Sequence, residues 1–343
     1  MIDPRSLNFG QKRIGHGEQV FVIAEIGINH EGDFAACARL TEAAATAGAD
    51  AIKLQTVDPD ENYAAGTESH ELFSRALLTR DETARIFDLA RSLGLEPFTT
   101  AGDRQTVEWI ERLSPAGYKI SSGLLTTTPL VHFVASKRRP VILSTGMAEL
   151  KDIERALEVV ASAGCEDVAL LQCTSLYPAP EDTLNLAAIR LLHDLFGLPV
   201  GFSDHSLGVT AAPLAVGAGA AIIEKHITLD TNRPGFDHGI SLDPDAFKQM
   251  VGAIRIAERM MGAAEKRPTE AERGNAARYH RRLATRRAVS AGASLQADDI
   301  GFLRFPVGAG GMAPDDYWRV LGRRSARTLG KFEPISEADL DPE

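Results

Sequence analysis

Eight short apolar runs recur between Val20 and Lys225, and nearly every one is followed by a stretch of helical spacing. They are "VFVIAEI" (Val20–Ile26), "DAIKLQT" (Asp50–Thr56), "EPFTT" (Glu96–Thr100), "GYKIS" (Gly117–Ser121), "PVILST" (Pro140–Thr145), "VALLQC" (Val168–Cys173), "PVGFS" (Pro199–Ser203) and "AIIEK" (Ala221–Lys225). Such runs have the length and continuous apolar character of strands buried on both faces. The segments between them, such as "AACARLTEAAATAG" and "DETARIFDLARSLG", place apolar residues at i, i+3 and i+4 and stop on glycine, as a helix does. Most repeats are about 20 to 30 residues long, the size of one βα unit. Eight such units predict a (β/α)8 barrel, with a doubly wound sheet as the other parallel arrangement.

After "FKQMVGAIRIAERMMG" the pattern changes. The stretch "AAEKRPTEAERGNAARYHRR" is charged and poor in large apolar residues, which predicts a linker or an exposed helix. From Leu283 onward the chain has short β-like pieces broken by Gly and Pro, and "AGASLQADDI" recurs loosely as "KFEPISEADL". The predicted division is a barrel domain over residues 1–280, with an N-terminal β extension and the linker, and a small β-rich module over 281–343.

Composition narrows the function. A formal charge of −10 argues against a general nucleic-acid binder. No apolar run reaches the roughly 18 residues of a membrane span. The opening "MIDPRSLNFGQKR" lacks the plan of a secretory signal, and Cys37, Cys165 and Cys173 show no CxxC spacing. A cytoplasmic location is expected.

In a barrel of this kind the chemistry sits where the strands end. Here nearly every strand ends on polar residues: Glu25; Lys53 and Gln55; Thr99 and Thr100; Lys119, Ser121 and Ser122; Ser144 and Thr145; then "CTSLYP", "SDHS" and "EKH". Helix capping accounts for several of the Ser and Thr residues, Ser144 and Thr145 among them. It does not account for Lys53 and Lys119, which lie inside apolar strands and are costly to bury without a partner. Two ammonium groups among hydroxyls suit a phosphate. His205 and His226 end neighbouring strands, and two imidazoles could hold a divalent metal with room for water and a substrate oxygen. His30 and His238 are also close in this reading, so spacing leaves the ligand pair open.

The ordered motifs "FVIAEIGINHEGDFAACARLTEAAATAGADAIKLQT", "YKISSG", "PVILSTGMAEL", "QCTSLYPAPEDTLNLAAI", "GFSDHSLG" and "IIEKHITLD…RPGFDHGISLDP" resemble the sialic acid (N-acetylneuraminate) synthase family. The C-terminal module resembles that family's antifreeze-like (SAF) domain. The resemblance covers nearly the whole chain. It implies a (β/α)8 TIM barrel that condenses phosphoenolpyruvate with an N-acylated hexosamine, using Mn2+ or Mg2+, and works as a domain-swapped homodimer. By the same resemblance the metal falls on His205 and His226. Phosphoenolpyruvate contacts fall on Lys53, Thr100, Lys119, Ser122, Ser144, Ser175 and Ser203. Glu25 matches the carboxylate near the reacting carbons, while Gln55, Tyr177 and Asp237 match sugar contacts. Arg304, in "FLRFPVGAGG", matches an arginine that the partner's SAF domain supplies, through a loose local alignment. Three departures bear on the sugar: Leu124 stands where the family has an acidic residue, "TTAG" (Thr99–Gly102) replaces "STPF", and the insert after the second strand has no close match. The implied acylated hexosamine is N-acetylmannosamine or a related sugar. The alternatives are a legionaminate- or other nonulosonate-type synthase using a diacetamido-dideoxy hexose, a metal-dependent barrel aldolase, or a synthase acting on a phosphorylated aldose; an inert barrel carrying a carbohydrate-binding module is the non-enzymatic one.

Overall fold

The computed structural model describes residues 6–15 and 17–342. The first five residues of the opening stretch, in which no secretory signal is expected, lie outside the described residues. Two strands come first, β1 (Leu7–Phe9) and β2 (Lys12–Ile14), paired as an antiparallel hairpin. Eight more complete the first unit: β3 (Phe21–Gly27), β4 (Ala51–Thr56), β5 (Glu96–Ala101), β6 (Tyr118–Ile120), β7 (Val141–Ser144), β8 (Val168–Cys173), β9 (Val200–Asp204) and β10 (Ile222–His226). They form a closed parallel barrel in chain order, sealed by β10 against β3. The eight predicted runs are these eight strands, each within a residue or two.

Both faces of the strands are dry, for different reasons. Side chains alternate across a strand. One set, including Val22, Ile52, Leu143 and Ile223, packs against the surrounding helices. The other set, including Phe21, Ile23, Phe98, Ile142, Leu171 and Ile222, fills the barrel interior as a plug. The hairpin caps this plug from the N-terminal end: Phe9 meets Phe21 and Phe98 edge to face, with ring centroids 5.4 and 4.8 Å apart. In a barrel of this kind the functional face is the opposite one, at the strand C-termini.

The helices start and stop on local signals. In the helix Phe34–Ala47, Asp33 accepts from the N–H groups of Ala35 and Ala36, and the chain turns out at Gly48 with φ of 88°. The helix Arg80–Ser92 opens on a Thr79/Glu82 capping box.

Cα packing divides the chain into two units, one up to Gly262 and one from Ala263. The charged stretch, expected on the barrel side, forms the helix Glu270–Tyr279 and belongs to the second unit. That unit pairs β11 (Arg282–Thr285) antiparallel with β12 (Ile300–Leu303) around its own core of Leu283, Leu295, Ile300, Leu329, Ile335 and others. Its repeated sequence is a repeated structure: Arg287 pairs with Asp299 at 2.5 Å, and forty positions later Arg327 pairs with Asp339 at 2.6 Å. Among the described residues no helix is long and apolar enough to cross a membrane.

Candidate active site

Strand β10 runs apolar into "EKH" because alternation sends its three ionisable groups two ways. Lys225 points out into the helix layer, where its ammonium lies 3.0 Å from Asp204 and donates to the Ser206 carbonyl. Glu224 and His226 point inward, above Ile222. The register then sets their neighbours: Glu25 lies opposite His226 and Lys53, Thr100 opposite Gln55 and Lys119, and Ser203 opposite Glu224.

The result is an alternating chain of buried charges. Lys53 Nζ is 2.7 Å from Glu25 Oε2 and 3.7 Å from Glu224 Oε2, and Lys119 Nζ is 3.0 Å from Glu224 Oε1. Ser203 donates to the same Glu224 oxygen at 2.8 Å, Lys53 to Thr100 Oγ1 at 3.4 Å, and Gln55 to Glu25 Oε1 at 3.0 Å. All four charged side chains are at most 5% exposed. Burial alone would neutralise such carboxylates. For Glu224 the opposing fields of Lys119 and Lys53 win, holding its pKa down at about 2. Glu25 has only Lys53 close by, with Glu224 repelling it, so burial wins and its pKa rises. Lys119 is shifted down by burial, whereas Lys53, between two carboxylates, is shifted up.

Beside this chain, His205 and His226 face each other with ring centroids 5.7 Å apart. His205 Nδ1 lies 2.9 Å from the Thr174 carbonyl, which makes Nδ1 the protonated nitrogen and leaves Nε2 free. His226 Nδ1 is buried with no hydrogen-bond partner; the nearest acid, Asp237 Oδ2, is 3.7 Å away. Burial holds His226 toward the neutral form a metal needs. Gly27, at φ of 56°, keeps the adjoining space open: a Cβ there would lie 3.1 Å from Glu25 Oε1 and 3.6 Å from the His226 ring. Among the described residues no group of three or more His, Cys, Asp and Glu side chains is gathered for a metal. Two facing imidazoles with an orphaned nitrogen fit a cation that keeps most of its positions for water and substrate.

His30 and His238, the other two candidates, are otherwise engaged. His30 Nδ1 accepts from Gly32 N at 3.1 Å, and burial pushes its pKa to about 4. His238 spends Nδ1 on Thr228 Oγ1 at 2.7 Å and Nε2 on Glu31 at 3.0 Å.

Of the remaining predicted residues, Ser122, Ser144, Ser175 and Tyr177 come from the ends of β6, β7 and β8 or the loops that follow them. Ser122 Oγ accepts from Gly146 N at 3.0 Å, and a Cβ on Gly146 would strike both Ser175 Oγ (2.3 Å) and Ser122 Oγ (2.7 Å), so the glycine lets the two hydroxyls converge. Ser144 Oγ is buried without a partner, and Thr145 donates to the Leu171 carbonyl at 2.9 Å. Neither caps the next helix, whose N-cap is Glu149. Tyr177 lies at the rim, 56% exposed, its ring centroid 4.2 Å from that of His205. Thr99 points away and bonds the Leu54 carbonyl at 2.9 Å, and Leu124 packs into the helix layer. Arg304, in the second unit, lies over the Tyr279 ring at 5.2 Å.

Two family models match the chain: that of the NeuB family over residues 40–266, and that of the SAF domain over residues 280–341. The chain belongs to the NeuB family. Among its relatives, the N,N'-diacetyllegionaminic acid synthase of Legionella pneumophila is 36% identical over 95% of each chain. A pseudaminic acid synthase of Campylobacter jejuni is 30% identical over 94% of this chain and 97% of its own. A solved structure of N-acetylneuraminic acid synthetase from Leptospira borgpetersenii superposes with a TM-score of 0.76 at 31% identity, covering 79% of this chain and 95% of that one.

Two residues of this NeuB-family chain's polar cluster escaped the sequence reading. Glu224 was visible two residues before His226, and that spacing on a strand puts both on one face. Its importance lies in the two lysines it bridges, which come from other strands. Cys173 sits 3.8 Å from His205 Nδ1, and no sequence signal singles it out. A separate cavity of about 640 Å³ beneath the hairpin is lined by Lys12, Arg139 and others. There Lys12 is paired with Asp50 at 3.3 Å and Arg139 with Glu111 at 2.7 Å, so that end reads as structural.

Proposed function

We propose that this NeuB-family chain is a nonulosonic acid synthase: it joins phosphoenolpyruvate and water to the open-chain form of an N-acylated hexosamine, giving a 2-keto-3-deoxy sugar acid and phosphate. The observation that carries this reading is the placing of two buried ammonium groups, Lys53 and Lys119, beside two facing imidazoles at one barrel mouth. Phosphoenolpyruvate is a small trianion that needs concentrated positive charge and many donors. Lys53, Lys119, Thr100, Ser122, Ser144, Ser175 and Ser203 would bind it, displacing Glu224 from part of its role as counter-ion. A divalent cation on His205 and His226, Mn2+ or Mg2+, would supply Lewis-acid polarisation of the sugar aldehyde.

In the first step C3 of phosphoenolpyruvate forms the carbon–carbon bond to the aldehyde carbon, and the aldehyde oxygen gains a proton. Water then adds at C2 and loses a proton; the C2–O bond to phosphate breaks as the remaining hydroxyl proton passes to the departing phosphate oxygen, leaving the ketone. Glu25 is the group to take the proton from that water. Its pKa is raised by burial, toward the range in which a general base works near neutral pH. Gln55 fixes its other oxygen. Tyr177 and Asp237 would contact the sugar from the rim. A diacetamido-dideoxy hexose is the second reading of the sugar, supported by the 36% identity to the legionaminic acid synthase.

A phosphate-release assay over a panel of acylated hexosamines, with phosphoenolpyruvate and each metal, tests the proposal. One phosphate per sugar consumed is expected with an unphosphorylated sugar. Turnover of phosphorylated aldoses alone, or an aldol product without phosphate release, would overturn it.

The proposal extends to assembly and location. The chain would act as a domain-swapped homodimer, with Arg304 of the partner subunit reaching the sugar's N-acyl group; the support is the family resemblance. Arg304→Ala should raise the sugar KM roughly ten- to a hundredfold, as for loss of one hydrogen bond to a charged group, and leave the phosphoenolpyruvate KM alone. A fully active monomer in sedimentation-coupled assays would refute it. A cytoplasmic location accords with three buried free thiols, Cys37, Cys165 and Cys173.

A further inference from the structure

We propose that Asn29 is a positioning residue for the sugar half of the reaction: from the loop after β3 it holds Asp237 opposite His226. The inference rests on the function proposed above. Asp237 belongs to the segment between β10 and the helix Pro244–Met261, and residues 232–235 of that segment are exposed to solvent. The following residues His238, Ile240 and Leu242 are buried, while the Asp237 backbone itself is held by a buried amide.

All of the Asn29 side-chain hydrogen bonds go to this segment, at both of its ends and at Asp237 itself. Nδ2 donates to the Ile227 carbonyl at 3.0 Å, immediately after His226, and to Ser241 Oγ at 2.9 Å. Oδ1 accepts from Asp237 N at 3.1 Å. Ser241 Oγ, oriented by accepting from Asn29, donates to the Asp237 carbonyl at 2.6 Å. The two side chains therefore grip both polar backbone atoms of Asp237, helped by Ile240 N at 3.3 Å to the same carbonyl. Asn29 is 3% exposed and Ser241 6%, so water does not compete for these bonds. The Asp237 carboxylate is left 3.7 Å from His226 Nδ1. Asn29 itself is anchored by its N–H to the Ile26 carbonyl at 2.9 Å, one residue beyond Glu25. Glu31 also joins this segment through His238 and Arg233, but among these ties the Asn29 amide is the one that bonds the Asp237 backbone, so slack in it moves the carboxylate relative to the imidazole. Displacements of this order at a reacting centre are expensive.

The test is a double-mutant cycle on the full-length chain with Asn29→Ala, Asp237→Ala and the pair, varying sugar and phosphoenolpyruvate separately. Asn29→Ala should raise the sugar KM about tenfold, with phosphoenolpyruvate KM within about twofold, as expected for loss of one buried hydrogen-bonded group. In the Asp237→Ala background the same change should add little, because Asn29 acts through Asp237. Ser241→Ala, which removes fewer bonds, should shift the same KM in the same direction and keeps the proposal testable where Asn29→Ala folds poorly. Full additivity, or equal rises in both KM values, would overturn the assignment. A crystal structure of Asn29→Ala with Asp237 unmoved would overturn it without reference to turnover. Absence of phosphate release by the parent enzyme with every sugar would count against the proposed function instead.

Discussion

Replacing Glu224 by alanine is expected to destabilise the barrel by about 3–5 kcal/mol, since it leaves buried positive charge uncompensated. Lys119 would lose its carboxylate at 3.0 Å, and Lys53 would keep only Glu25. Thermal melting would show this as a drop of roughly 10 °C. Inorganic phosphate or phosphoenolpyruvate should then raise the melting temperature more in Glu224→Ala than in the parent, because the added anion stands in for the missing carboxylate. Glu224→Gln should be milder, keeping an acceptor for Ser203 and Lys119. The pH dependence has a definite sign. Glu224 titrates near 4.5 when unfolded and at about 2 in the fold, so its contribution is complete above pH 4.5 and is lost as pH falls toward 2. The stability gap between parent and variant should narrow over that window. An unchanged melting temperature, or equal stabilisation of both proteins by phosphate, would refute the counter-ion role.

His226→Ala should lower kcat about a hundred- to a thousandfold, the usual loss when one preorganised electrostatic stabiliser is removed. Calorimetric binding of Mn2+ should be lost in the same variant. The fold should survive, because His226 Nδ1 has no hydrogen-bond partner whose loss would leave a neighbour unsatisfied. His238→Ala is the control. Its nitrogens are spent on Thr228 and Glu31, so Mn2+ binding should persist. Normal turnover by His226→Ala, or Mn2+ binding that vanishes only in His238→Ala, would move the metal to a different pair.

Much of the fold was legible because it rests on short-range patterns. Apolar runs at a βα spacing locate the strands, and glycine and acidic caps locate the helix ends. Lys53 and Lys119 stood out because lysine inside an apolar strand contradicts its surroundings unless something answers its charge. Ser144 and Thr145 were less legible: hydroxyls after a strand suit a cap and a ligand equally, and only their surroundings tell the two apart. Ser144 has no partner, whereas Thr145 is held by Leu171.

Residue order alone determined the eight strand–helix units, the C-terminal module and a set of polar residues at the strand ends, since periodicity and strand polarity are properties of the chain itself. Which of those groups meet was decided only in three dimensions. Glu224 is answered by lysines that precede it by 105 and 171 positions, and His226 is paired with His205 rather than His30 or His238. Closure of β10 on β3 and the register of the sheet set those distances, and no spacing along the chain encodes them.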